Sequence, residues 1–176
     1  MFSINTISLS EVIQLQSLSR QTFSETFSSS NSKENMDKYL NENLSIEKLS
    51  EELKNKSSHF FFIKDKERNI GYLKLNMGPS QTELKDETAL EIERIYVIQE
   101  YQGKKVGQQL YEKAIQVANE KKAQYIWLGV WEENHKAIQF YQKNGFEVFD
   151  KHVFKLGNEE QTDLICLLYT SDAADE

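Results

Sequence analysis

The sequence is poor in the residues that cross-link or interrupt a chain: its 176 residues include one cysteine, one proline and seven glycines. One cysteine excludes an intrachain disulfide and a zinc site built from several cysteines. No apolar run approaches the roughly 20 residues of a membrane-spanning helix. The first ten residues, MFSINTISLS, lack the basic and apolar regions of a secretory signal peptide. We therefore expect a cytoplasmic protein with no membrane partner.

Positive charge is also scarce, with 21 Lys and Arg residues against 28 Asp and Glu and a formal net charge of −7. Nucleic-acid binding needs a basic surface, so this balance argues against nucleic acid as a general partner and mildly favours cationic ligands. The length fits one domain, which we place over residues 1–165.

The segment from Cys166 to Glu176 differs from the rest of the chain. Residues 170–176 are small and acidic and show no periodicity. They resemble the translated adapter sequence sometimes fused to the ends of assembled genes, and a frayed natural tail is the alternative. We expect residues 166–176 to be a non-native or disordered tail whose first residues could extend the last strand.

Hydrophobic periodicity predicts interspersed helices and strands. We therefore expect the fold class α/β (α+β) with a mixed, twisted sheet. A capping box at Ser8 and Glu11 begins a helix that runs to about Phe27. Further helices are predicted over 33–42, 45–56, 104–122 and 134–144, and strands over 3–7, 59–64, 70–77, 90–97, 125–131, 146–149, 153–156 and 162–168. The late helix crossovers require parallel neighbouring strands.

A glycine-containing loop, QEYQGKKVG, joins the strand 90–97 to the long helix. A helix N-terminus directs N–H groups and about half a positive charge at an anion. Gly103 and Gly107 would permit close backbone approach, and Lys104 and Lys105 add positive charge. The loop is neither a Walker A motif nor a GxGxxG fingerprint, and ordinary turn glycines are the alternative reading of it alone.

The run NHKAIQFYQKNGF places Asn134 and Tyr141 seven residues apart on a predicted helix. Seven residues make about two turns, so both side chains point the same way. A tyrosine in such an apolar stripe could instead be a core residue with a satisfied hydroxyl.

Two carboxylates, Glu91 and Glu93, alternate with apolar residues in the strand LEIERIYV and are predicted to share a face. Acids on a mostly buried strand are costly unless they function or are paired. The alternatives are neutralisation by Arg94 or Lys74 and a solvated face.

Taken together, strand, QxxxxG loop, helix, strand and then Asn…FYxxxGF resemble the GNAT superfamily of acetyl-CoA-dependent N-acetyltransferases. Within it, IWLGVWEENHKAIQFYQKNGF, IERIYV and EEQTDL are similar to the bacterial PaiA-type spermidine/spermine N-acetyltransferases. The resemblance implies a mixed, mostly antiparallel sheet of about seven strands flanked by helices. It also implies a central parallel pair that splays for the cofactor.

The resemblance further implies residue roles. Tyr141 corresponds to the general acid that protonates the leaving thiolate, and Glu91 first and Glu93 second are the candidates for general base. The implied acetyl-CoA contacts are Ile95, Tyr96, Val97, Gln102, Gly103, Lys104, Lys105, Val106, Gly107, Gln108, Asn134, Lys136 and Tyr141. The sequence departs from the family loop pattern at Lys105, which stands where the first pattern glycine is expected.

We therefore expect acetyl transfer from acetyl-CoA to a primary amine, a polyamine such as spermidine or spermine, in a ternary complex and without a metal. The alternatives are another amine acceptor (a protein N-terminus, a lysine, an amino acid or an antibiotic) and a non-catalytic acyl-CoA-binding module. The expected partners are acetyl-CoA and a small cationic amine, and a homodimer is left open. Phe23, Phe27 and Tyr39 could line the acceptor site or simply pack the N-terminal helices.

Overall fold

A computed structural model describes residues 2–170 of the protein. In this range the strands are β1 (Phe2–Thr6), β2 (Ser58–Asp65), β3 (Arg68–Met77), β4 (Ala89–Val97), β5 (Tyr125–Trp131), β6 (Glu147–Leu156) and β7 (Glu159–Tyr169). The α-helices are α1 (Val12–Phe27), α2 (Lys33–Asn43), α3 (Ile46–Lys54), α4 (Val106–Glu120) and α5 (His135–Lys143). Ser45 caps α3 by accepting a hydrogen bond from the Lys48 N–H at 3.1 Å.

All seven strands of the described range lie in one sheet, in the order β1-β2-β3-β4-β5-β7-β6. The β4–β5 pair is parallel, and the other neighbouring pairs are antiparallel. The predicted fold class, with its central parallel pair, is confirmed. The prediction of separate strands over 146–149 and 153–156 is wrong, because one strand, β6, covers both. Its register shifts between Val148 and Asp150, and such a bulge interrupts the alternation from which strands are predicted.

The β4 strand bends away from β5 half-way along its length. Pairing with β5 runs only from Ala89 to Ile92, whereas pairing with β3 continues to Val97. Leu75 pairs with Ile92 and Lys74 with Arg94, so Glu93 is an extra residue in β4. A bulge of this kind kinks its strand. The second half of β4 therefore presents an unpaired backbone edge to an opening between β4 and β5.

The two faces of the sheet carry different layers. Leu90 and Ile126 belong to the main core, and Ala89 and Trp127 belong to a smaller cluster on the opposite face. The loop between β3 and β4 covers this second face, where the indole N–H of Trp127 donates to Gln81 Oε1 at 2.7 Å.

The start of the expected tail lies inside the fold. Residues 166–169 end β7, with Tyr169 opposite Tyr125 on β5, and Cys166 is buried. Residues 171–176 lie outside the described range, and their foreign origin stays a prediction. Between residues 2 and 170, no helix is both long and apolar enough to cross a membrane. Over the same range, no group of three or more His, Cys, Asp or Glu residues could hold a metal ion.

Candidate active site

A cavity of about 390 Å³ opens where β4 and β5 separate. Glu91 and Tyr96 line it from β4, Gly129 and Trp131 from β5, and Tyr141 from α5. The bulge in β4 therefore creates the space into which these side chains project. The predicted site residues that reach this cavity are Glu91, Glu93, Ile95, Tyr96, Asn134 and Tyr141.

Aromatic rings from the N-terminal helices form the opposite wall. Phe23, Phe27 and Tyr39 all line the cavity. Phe23 stacks on Tyr39 with ring centroids 4.2 Å apart, and Phe27 lies 5.7 Å from Trp131 of β5. These residues both pack the helices together and face the cavity, so the two roles weighed from the sequence coexist.

Glu91 is 3% exposed and is held by three hydrogen bonds. Its carboxylate accepts from the Thr82 N–H at 2.8 Å, from the Thr82 hydroxyl at 2.6 Å and from Asn76 Nδ2 at 3.0 Å. Burial raises the pKa of Glu91, and the bonds from Thr82 and Asn76 oppose that rise. The group therefore gains proton affinity while its orientation is fixed.

Glu93 lies beside Glu91, since Asn76 Nδ2 also donates to Glu93 Oε1 at 2.8 Å. Its own surroundings are different, because Lys74 Nζ lies 2.7 Å from Oε1 and Arg94 Nη2 lies 3.2 Å from Oε2. Burial by itself would raise the pKa of Glu93, but Arg94 and Lys74 lower it to about 2. Glu93 is therefore a fixed negative charge near neutral pH.

A second acid, Glu52 of α3, completes this group of buried charges. Glu52 Oε1 lies 3.0 Å from Lys74 Nζ and 2.8 Å from Arg94 Nη1. Two cations and two anions thus balance each other. The group ties α3 to the bulge in β4, so it fixes the place where the cavity opens.

Tyr141 is 7% exposed, and its ring packs against Phe140 and Phe146. Within residues 2–170, no hydrogen bond joins its hydroxyl to another group, although the residue lines the cavity. Burial raises the pKa of Tyr141, and the neighbouring Tyr96 adds to this. The phenol therefore stays protonated near neutral pH and can donate its proton into the cavity.

Asn134 caps α5, with Oδ1 accepting from the Ala137 N–H at 3.2 Å. This cap leaves the Asn134 amide Nδ2 available to a ligand. Asn134 and Tyr141 both line the cavity, as their two-turn spacing predicts. Lys136 is exposed and lies outside the residues that line it.

The N-terminus of α4 has no side-chain cap. The first N–H groups of an α-helix have no partner within the helix, so those of Val106, Gly107 and Gln108 remain available to an anion. Gly103 and Gly107 have open space where a Cβ would stand. Lys105, at the N-cap, has a positive φ of 64°. Glycine adopts this left-handed conformation easily, whereas lysine is strained in it.

The remaining loop side chains contact other parts of the fold. Gln102 Nε2 donates to the Val97 carbonyl at 3.3 Å, and Lys104 Nζ lies 5.1 Å from the centre of the Tyr101 ring. Gln108 Nε2 donates to Asn144 Oδ1 of the α5 C-terminus at 3.3 Å. These residues lie outside the cavity, so any contact with a ligand there would come from the loop backbone or from rearranged side chains.

The model of the acetyltransferase (GNAT) family matches residues 14–146. The chain belongs to the GNAT family of acetyltransferases. The recognition made from the loop and the Asn…Tyr helix is therefore confirmed. An uncharacterized N-acetyltransferase from the pepI 3′ region of Lactobacillus delbrueckii subsp. lactis is 39% identical over 159 residues, or 90% of this chain and 92% of that protein.

Two other GNAT comparisons involve Thermoplasma acidophilum. A spermidine N(1)-acetyltransferase from this organism is 27% identical over 151 residues, or 84% of this chain and 89% of that protein. The crystal structure of a PaiA N-acetyltransferase, in complex with coenzyme A, superposes with a TM-score of 0.79 at 25% identity. The match covers 96% of this chain and 99% of that one.

Sequence reasoning missed several groups that shape the GNAT cavity: Glu52, Asn76, Thr82, Glu83, His152, Phe154 and Asp163. Asn76 was the one with a usable signal, since an asparagine within the apolar run IGYLKLNM needs a partner if it is buried. The structure shows that it is 0% exposed. Thr82 lies in an irregular loop and Asp163 far along the chain, where no local pattern places them beside Glu91.

Proposed function

We propose that this chain transfers the acetyl group of acetyl-CoA to a primary amine of a polyamine such as spermidine or spermine, by direct attack in a ternary complex. The observation that carries the proposal is that Glu91 and Tyr141, a proton acceptor and a proton donor, line one cavity at the β4–β5 opening. The spermidine acetyltransferase among the relatives supports the choice of acceptor.

The chain's backbone fits acetyl-CoA at two places. The second half of β4 leaves N–H and C=O groups unpaired toward β5, and an amide-bearing arm can pair with such an edge. The uncapped N-terminus of α4 suits a pyrophosphate. Bound there, acetyl-CoA would supply an acetyl group activated as a thioester.

The proposed chemistry moves two protons. Glu91 takes a proton from the substrate ammonium, directly or through one water, so that the nitrogen lone pair can attack the thioester carbonyl. A backbone N–H of β4 stabilises the oxygen of that carbonyl. As the C–S bond breaks, Tyr141 donates its proton to the sulfur, and the second proton of the attacking nitrogen returns to the Tyr141 oxygen, directly or through water. Glu91 releases the first proton to solvent, so the products are the acetylated amine, coenzyme A with its thiol protonated, and one proton. Glu93 stays ionised throughout and acts on Glu91 by its charge.

The cavity also suits the proposed acceptor. Tyr39 and Phe27 present ring surfaces that can contact methylene groups and ammonium ions. Glu91 contributes negative charge at the reacting end, whereas the charge of Glu93 is already balanced by Lys74 and Arg94. An alkyl chain carrying ammonium groups matches the rings and Glu91, whereas a neutral or anionic acceptor would leave the charge of Glu91 unmatched.

A thiol-release assay with acetyl-CoA and a panel of amines tests the proposal. Release of coenzyme A that depends on spermidine, with acetylspermidine seen by mass spectrometry, is expected. Release only with a peptide, an amino acid or an aminoglycoside would show that this compound class, and not a polyamine, is the acceptor. Binding of acetyl-CoA by calorimetry without release by any amine would favour the non-catalytic module. A cytoplasmic location and a homodimer stay predictions.

A further inference from the structure

A third carboxylate, separate from the proposed catalytic residues Glu91 and Tyr141 and from Glu93, faces the same cavity. Asp163 of β7 lines it together with Glu91. We propose that Asp163 binds the second ammonium group of a diamine or polyamine acceptor and thereby selects such acceptors over monoamines. The inference rests on the proposed function, and it names the residue that would set its acceptor specificity.

The register of the sheet places Asp163 on the same face as Glu91. Glu91 pairs with Trp127 across β4–β5, and Gly129, two residues further along β5, pairs with Ile165. Asp163 is two residues from Ile165, so alternation returns it to this face. A Cβ built on Gly129 would lie 3.8 Å from Asp163 Oδ2, which confirms that the carboxylate points over Gly129.

The spacing suits a short diamine. Strands rise about 3.3 Å per residue and lie about 4.8 Å apart, so the Cα atoms of Glu91 and Gly129 are roughly 8 Å apart. The carboxylates of Glu91 and Asp163 are then roughly 8–12 Å apart along the face. Three or four methylene groups separate two nitrogens by roughly 5–6 Å. With an ion pair of about 2.8 Å at each end, such a diamine spans the interval.

Among the described residues, no cation forms a salt bridge with Asp163. Gln161 Nε2 donates to its Oδ1 at 3.2 Å. His152, its partner across β6–β7, instead lies 2.7 Å from Glu83 Oε1 through Nε2. Burial raises the pKa of Asp163, while His152 and Glu83 act on it in opposite directions. A partly buried carboxylate without a counter-ion is stabilised when an ammonium binds.

Gly129 keeps the path between the two carboxylates open. A methyl group there would meet Ile165 Cδ1 at 3.6 Å and Asp163 Oδ2 at 3.8 Å. These are ordinary contacts, so Gly129→Ala is expected to fold. The methyl group would nevertheless occupy the space beside Oδ2 where an ammonium would bind.

The test compares 1,4-diaminobutane with butylamine, which differ by one amino group, and includes the triamine spermidine, with wild type, Asp163→Asn and Gly129→Ala. In wild type, kcat/KM should favour the diamine by about 10- to 100-fold. Asp163→Asn should abolish this preference mainly by raising the KM of the diamine, and Gly129→Ala should reduce it. Asp150→Asn, an exposed carboxylate on the neighbouring strand β6, is the matched control and should keep it.

Each outcome is decisive when thermal unfolding midpoints show that the variants are folded. If wild type acetylates diamine and monoamine equally well, or if Asp163→Asn and Gly129→Ala keep the preference, the inference is overturned while the proposed function stands. If wild type acetylates no amine, both fail. Loss of the preference in Asp163→Asn together with its retention in Asp150→Asn supports the inference.

Discussion

Thr82 holds Glu91 by two hydrogen bonds, 2.8 Å from its backbone N–H to Oε1 and 2.6 Å from its hydroxyl to Oε2. Thr82 belongs to the β3–β4 loop that covers this face of the sheet, so this loop also orients the proposed base, Glu91. Burial raises the pKa of Glu91, and the bonds from Thr82 and Asn76 limit that rise. The hydroxyl of Thr82 is thus a direct means of testing the role of Glu91.

Replacing Thr82 by alanine should move the acidic limb of the pH profile of kcat/KM to higher pH. The change removes a bond to the ionised carboxylate, so the pKa of Glu91 rises and a larger fraction is protonated at a given pH. A base must be ionised to act, so activity on the acidic side falls.

Thr82→Ser is the matched control, because serine keeps a hydroxyl at the same place, and its profile should overlay that of wild type. If Thr82→Ala left the acidic limb where it is in wild type, Glu91 would not be the group that titrates there. The initial rate with spermidine between pH 5 and pH 9 provides the measurement.

Lys105→Gly should keep or improve binding of acetyl-CoA and should raise the free energy of unfolding by up to about 1 kcal/mol. The reason is the positive φ of Lys105, 64°, at the N-cap of α4. Lys105→Ala keeps the strain and removes the ammonium, so it separates the two effects. A large loss of affinity in Lys105→Gly, measured by calorimetry, would show that the lysine side chain is needed for binding.

Glu52→Gln should lower the free energy of unfolding by about 3–5 kcal/mol, because it leaves Lys74 and Arg94 buried with one counter-ion instead of two. The ion pair of Arg68 with Glu100, 2.7 Å long but exposed, is the comparison. Arg68→Ala should scarcely move the urea midpoint. Equal midpoints for Glu52→Gln and wild type would mean that the buried charges do not support the bulge.

Glu93 should make the stability of the protein depend on acid. Its folded pKa of about 2 lies below the ordinary value of 4.5, so its stabilising effect is present above pH 4.5 and is lost as the pH falls toward 2. Urea unfolding of wild type and Glu93→Gln should therefore differ by about 3 kcal/mol at pH 7 and converge near pH 2. A difference that is the same at both pH values would contradict this assignment.

More of the fold than of the site could be predicted from the sequence. Strand 125–131 and the capping box of Ser8 and Glu11 could be predicted because their signals are local, in the alternation of side chains and in single polar residues. The box, however, begins a 3₁₀ turn over Leu9–Glu11, and α1 starts only at Val12. The strand β6 could not be predicted as one element, because the extra residue at Phe149 interrupts its period of two. Lysine itself gives no local sign of the positive φ at position 105. The only indication was the glycine that the family loop pattern has there.

Neutralisation of a glutamate by Arg94 or Lys74 was one of the alternatives predicted from the sequence, but which glutamate it would be was beyond local reading. Glu91 and Glu93 differ by two positions in one strand, yet Glu93 is neutralised by Arg94, its neighbour, and by Lys74, which lies across the sheet. Glu91 instead meets Thr82, nine residues away in a loop of no regular structure. These partners come together only in the folded sheet with the β3–β4 loop packed on it. They leave Glu91 able to take a proton and keep Glu93 ionised.

The central claim is that Tyr141 protonates the departing thiolate in a direct transfer to an amine. The single-turnover rate of coenzyme A release, with saturating spermidine, measures this step in wild type and in Tyr141→Phe. A fall of about 10²- to 10⁴-fold is expected, with the Kd of acetyl-CoA from calorimetry within about twofold of wild type. An unchanged rate in Tyr141→Phe would contradict the claim.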